Sequence, residues 1–124
     1  MSLNTKQLNT LLTGVKLAVE LESSASNLRK FLIIACYRFK SEGIFEIPNK
    51  IISNEKQRDM KFVLRSYEIP VDYYKNNWDI TDDELVNDTI IDNIKNLSLL
   101  EDAIKTYLSD FSLLVPEWDV DNLL

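Results

Sequence analysis

The sequence predicts an all-α fold, a compact single-domain bundle of five or six helices around a buried central helix at residues 26–41. Three observations lead there. The run Phe31-Leu32-Ile33-Ile34-Ala35-Cys36-Tyr37 is seven residues long without a polar break. Two Gly and three Pro in 124 residues favour long regular elements over turn-rich β architecture. Apolar residues also recur at i, i+3, i+4 spacing over most of the remaining chain.

The first helix is expected over about 5–22, where Leu8, Leu11, Leu12, Val15, Ala18 and Val19 line one face. Gly14 inside it costs about 1 kcal/mol relative to Ala. Ser23-Ser24-Ala25-Ser26 forms a turn that supplies N-cap candidates for the central helix. In that helix Leu28, Phe31, Leu32, Ala35 and Phe39 make a stripe. Ile33, Ile34 and Tyr37 widen it past half the circumference, so other elements must bury it. Gly43 suits its C-terminal end, and Ile44–Ile47 alternates in the manner of a short extended segment before Pro48. A helical turn over 49–52 follows, then a helix over 55–67 with Met60, Val63, Leu64 and Tyr67 inward.

Residues 68–80 read as a short helix opened by Pro70 or as one short β-hairpin closing on Lys75-Asn76-Asn77. Thr81-Asp82-Asp83-Glu84 is a capping box that starts a further helix with Leu85, Val86, Ile90, Ile94 and Leu97 inward. Ser98-Leu99-Leu100-Glu101 is a second box, followed by the stripe Leu100, Ala103, Ile104, Tyr107, Leu108, Phe111. The chain thus reads as one domain, 1–124, closing in an acidic and apolar tail over 112–124.

Charge and composition narrow the function classes. There is no His, so no imidazole base, no Ser-His or Cys-His pair and no His-containing metal site is available. An enzyme is disfavoured on that ground, and no cofactor or catalytic residue is expected. A single Cys forms no internal disulfide, which suits a reducing, cytoplasmic setting. The N-terminus lacks signal-peptide character, and no apolar run reaches the roughly 18–20 residues that span a bilayer. Residues 1–67 carry 11 Lys and Arg against 6 Asp and Glu, a net of +5. Residues 68–124 carry 3 against 14, a net of −11. Such asymmetry implies either internal complementarity or two surfaces for different partners.

Four groups are candidate sites. Glu84, Asp88 and Asp92 stand at i, i+4, i+8 on one expected helix face, with Lys95 nearby. A solvated acidic face is favoured over a cation site, because nothing supplies the remaining ligands of a Mg²⁺ or Ca²⁺ shell. Asp79–Glu84 lacks the Gly at position six and the acid at position twelve of a calcium loop, so no metal is expected. Cys36 lies in the most apolar stretch and reads as core filler. The cations Lys56, Arg58, Lys61 and Arg65 share the expected 55–67 helix, as the recognition helix of a winged-helix or helix-turn-helix regulator would. An isoelectric point of 4.6 opposes that alternative. The tail carries Trp118, Leu123 and Leu124 among Asp119 and Asp121, and either folds back on the bundle or docks in a partner's groove.

The function expected from these features is that of a small non-enzymatic interaction protein: an inhibitor, an immunity protein or an accessory subunit. It would bind a protein partner with a basic surface through its acidic C-terminal half. The contact residues expected are Asp83, Glu84, Asp88, Asp92, Trp118, Asp119, Asp121, Leu123 and Leu124.

Overall fold

Residues 28–39, inside the expected central helix at 26–41, are the longest strand of an antiparallel sheet. The computed structural model describes residues 2–39, 45–46 and 60–122. The sheet comprises β1 (Leu17–Leu21), β2 (Leu28–Phe39), β3 (Phe45–Glu46), β4 (Met60–Pro70), β5 (Val86–Ile94) and β6 (Val115–Pro116). Strand order is β5-β4-β2-β1-β6, with β3 pairing the far end of β2. Helices among the described residues are three and short: α1 (Thr5–Leu12), α2 (Val71–Lys75) and α3 (Leu97–Lys105). The all-α bundle is therefore overturned.

The reason lies in the run at 31–37. An all-apolar segment with β-branched and aromatic residues suits a strand covered on both faces as well as it suits a buried helix. Here both faces are covered. Leu32, Ile34 and Cys36 pack on one side with Leu17, Val19, Leu64, α1 residues Leu11 and Leu12, and α3 residues Leu100 and Ile104. Phe31 and Ile33 pack on the other with Ala18, Tyr67 and Ile69, under Tyr73, Tyr74, Leu85 and Val120. Register holds β2 on both flanks, with Leu32 opposite Val19 on β1 and Ser66 on β4.

The other differences have local causes. The first helix stops at Leu12, where Gly14 takes φ 93 and turns the chain into β1. A left-handed residue cannot continue an α-helix, and Gly adopts it without a Cβ clash. From 60 onward the expected 55–67 helix is β4. Its Met60, Val63, Leu64, Tyr67 spacing gives way to alternation, with Phe62 and Leu64 on one face and Tyr67 and Ile69 on the other. The expected turn at 49–52, the segment 55–59 with Lys56 and Arg58, and the end near Gly43 lie outside the described residues. Across 68–80 there is no hairpin: β4 runs to Pro70 and α2 follows.

The Thr81–Glu84 capping box is present, but it closes a single 3₁₀ turn over Asp82–Glu84 rather than opening a long helix. β5 takes the place of that helix, and Asn87 and Asn93 sit at positive φ at or beside its register irregularities. The last helix is capped by Asn96, not Ser98, and ends at Lys105. Leu108, Phe111 and Leu114 still reach the core beyond it. Gln7, buried on α1, ties this segment down by donating from Nε2 to the carbonyls of Phe111 and Leu114 at 2.7 and 3.0 Å.

Candidate functional site

Asp88 and Asp92 lie on β5, Asp83 and Glu84 lie in the turn before it, and Asp82 and Glu117 line one mouth on the Phe31–Tyr67 face of the sheet. Among the described residues β5 pairs only with β4, so its outer backbone edge is unpaired. Its residues are mostly exposed, and it is buried only at Ile94. Ile90 and Ile91, 56% and 37% exposed, are apolar side chains left in solvent at this edge.

Ile90 stands opposite Arg65 on β4, and Asp88 and Asp92 flank it two residues away on either side. Asp88 is held by Arg65 through two hydrogen bonds, Nε to Oδ1 and Nη2 to Oδ2, both 2.9 Å. The Arg65 guanidinium holds the Asp88 carboxyl below its ordinary range. Arg65 Nη2 also lies 3.5 Å from Asp82 Oδ1. Asp92 accepts from the Tyr37 hydroxyl at 2.5 Å. Burial, then the bond to Asp92, pushes the Tyr37 phenol up to about 12.

Asp83 and Glu84 sit in the exposed 3₁₀ turn just before β5. The Thr81 hydroxyl donates to Asp83, and the Tyr73 hydroxyl donates to Glu84. Each bond lowers the carboxyl it meets, so both remain anions near neutrality. The helical i, i+4, i+8 relation of Glu84, Asp88 and Asp92 does not exist, because the first lies in a turn and the others on a bulged strand. Among the described residues no group of three or more His, Cys, Asp or Glu converges as a metal site would require.

The tail is divided. Val115 and Pro116 add β6 beside β1, and Glu117 donates its backbone N–H to the Lys16 carbonyl at 2.9 Å. Val120 packs on the Phe31–Tyr67 cluster, and the Tyr74 hydroxyl donates to the Asp121 carbonyl at 2.7 Å. Trp118, 72% exposed, projects from this anchored segment with Asp119 and Asp121 beside it in solvent. Leu123 and Leu124 lie outside the described residues.

The basic candidates are redistributed. Lys61 and Arg65 are on a strand, not on a helix, and Arg65 is committed to Asp88 and Asp82. Cys36 is buried in the helix-covered core, and burial pushes its thiol up to about 12. Such a thiol is protonated and inert near neutrality.

Between the two acidic loops lies a feature that sequence reasoning missed. A cavity of about 310 Å³ is lined by Lys16, Ile33, Arg65, Tyr67, Asp82 and Glu117. Tyr67 was legible only as a core aromatic, and nothing in the spacing connects Lys16 with Glu117, 101 positions apart. No helix among the described residues is long and apolar enough to cross a membrane. No family model, curated protein or solved structure matches this chain.

Proposed function

We propose that this chain is a small non-enzymatic interaction protein that binds a protein partner with a basic surface through the β5 edge and the acidic turn beside it. An inhibitor, an immunity protein and an accessory subunit all fit that description. The observation that carries the reading is the coincidence on one edge of unpaired backbone, exposed Ile90 and Ile91, and the carboxylates of Asp82, Asp83, Glu84, Asp88 and Asp92. An edge strand offers backbone donors and acceptors to an incoming strand, and apolar side chains beside it add desolvation energy. The surrounding acids favour a basic partner and speed its encounter.

The same charges select against self-association. If two copies paired antiparallel about Ile90, Asp88 of one would face Asp92 of the other, and like charges directly opposite destabilise a strand pair. The bulges at both ends restrict any such pairing to the central residues of β5. Lys61 and Arg65 give the nucleic-acid alternative no recognition helix, so the acidic edge is the better-supported surface.

The test is affinity capture from the host lysate on the immobilised full chain, with and without nuclease, at low and moderate salt. The expected result is a basic protein retained after nuclease. It should be lost when Asp82 and Asp83 become Asn, and lost again when Ile90 becomes Lys. Retention of nucleic acid, with any protein released by nuclease, would refute the reading.

A further inference from the structure

Tyr67 lines the cavity on the Phe31–Tyr67 face and carries a donor without an acceptor among the described residues. Tyr67 is fully buried, and its hydroxyl has no hydrogen-bond partner among the described residues. Buried polar groups are almost always paired, and one that is not loses free energy relative to a hydrated phenol. A phenylalanine would fill the same core space without that loss. Burial also raises the Tyr67 phenol, so the group is neutral and carries a proton to donate.

The lining carries both signs of charge, with Arg65 Nη2 3.5 Å from Asp82 Oδ1. Tyr67 and Ile33 are buried and form the floor, while Arg65 is half-buried at the wall with its Cζ 5.4 Å from the Tyr67 ring centroid. Lys16, Asp82 and Glu117 occupy the exposed or half-buried rim. Among the described residues the ammonium of Lys16 and the carboxylate of Glu117 have no ion-pair partner, whereas Asp82 lies against Arg65. A ligand bearing only an anion would meet Asp82 and Glu117 as repulsion. One bearing only a cation would meet Lys16 and Arg65.

We infer that this cavity binds a small zwitterion of α-amino-acid size, with its carboxylate accepting from Tyr67 beside Arg65 and Lys16 and its ammonium facing Asp82 and Glu117. The cavity volume of about 310 Å³ sits at the lower end of the roughly 300–1,000 Å³ typical of small-molecule sites, ample for an amino acid. Ile33 supplies the apolar floor that a small aliphatic side chain requires. The site is independent of the partner-binding reading, although Asp82 belongs to both surfaces.

The experiment uses the full chain and free L-alanine, L-leucine, L-glutamate and L-arginine as individual probes, with propionate and ethylamine as single-charge controls. Binding is read by calorimetry and by NMR of the tyrosine rings. At least one amino acid should bind with a Kd in the millimolar range or tighter and shift the Tyr67 ring signals. Tyr67→Phe should weaken it on the order of tenfold, the loss expected when a donor to a charged acceptor is removed. Lys16→Met, an exposed change that leaves the core untouched, should weaken it too.

Absence of binding by all four amino acids at tens of millimolar would overturn the inference. So would propionate binding as tightly as the best amino acid, or Tyr67→Phe leaving affinity unchanged while circular dichroism shows a native fold. None of these outcomes touches the lysate experiment, so the two readings fail separately.

Discussion

Glu68, buried in the middle of the chain on β4, accepts the backbone N–H of Ser24 at 2.8 Å and thereby holds the turn between β1 and β2 from across the sheet. Its two oxygens also take the Ser24 hydroxyl at 2.9 and 3.0 Å and Asn87 Nδ2 at 2.6 Å. Burial by itself would raise this carboxyl. The bonds from Ser24 and Asn87 outweigh burial and leave it below the ordinary value of 4.5.

A lowered folded value means the contribution is fully present above about pH 4.5 and is lost as pH falls through the folded value. Asp88 and Glu20 are lowered as well, each first by its arginine partner, and act in the same direction. Denaturant midpoints should therefore be level from pH 7 to about 5 and fall below that. Glu68→Gln should cost about 1–3 kcal/mol at pH 7, because one acceptor becomes an amide donor facing donors. It should also flatten the acid limb. A wild-type curve that keeps its stability down to pH 3 would refute this account.

Gln7 joins α1 to the loop that carries Phe111 and Leu114. Replacing it with Ala leaves two buried carbonyls without their donor, at a cost of about 2–3 kcal/mol. Gln7→Glu should be at least as harmful, since a carboxylate would face the same carbonyls. Urea unfolding of the two variants tests this, and a cost below about 0.5 kcal/mol in both would refute it.

Gly14 takes the left-handed conformation that separates α1 from β1. Gly14→Ala should destabilise by about 1 kcal/mol, whereas a chain that were helical across this point would gain about as much from the same change. The sign of the shift in thermal midpoint is decisive.

Arg65 and Asp88 form a two-bond pair with both side chains about three-quarters covered. A double-mutant cycle with Arg65→Ala and Asp88→Ala should give a coupling of about 1 kcal/mol that shrinks in high salt. Zero coupling would show that neither residue positions the other, and Asp88 would then belong wholly to the interaction edge.

Burial was largely legible in the sequence. Leu11, Leu12, Val19, Phe31 to Ile34, Leu64, Tyr67, Ile94, Leu100, Ile104, Leu108 and Phe111 were all expected inside, and all are buried. Hydropathy sets that tendency before any conformation is chosen, but Ile90, expected inward with Ile94, is 56% exposed because it falls on an edge strand. The acidic second half and the acidic tail over 112–124 were legible too, but not that a turn ending at Glu84 and a segment starting at Glu117 would both line a cavity with Tyr67.

Conformation was decided elsewhere. A run such as 31–37 satisfies a buried helix and a doubly covered strand equally, and local spacing cannot separate them. The choice rests on partners distant in sequence. Ser66 and Leu64 on β4 pair with Leu32 and Ile34 on β2 across 34 and 30 positions, and α1 and α3 are present to cover the face that results. By itself the sequence determined what must leave water and where charge accumulates. Only the tertiary structure decided that the buried residues pair as strands, because backbone hydrogen bonds in a sheet are supplied by segments that no local window contains.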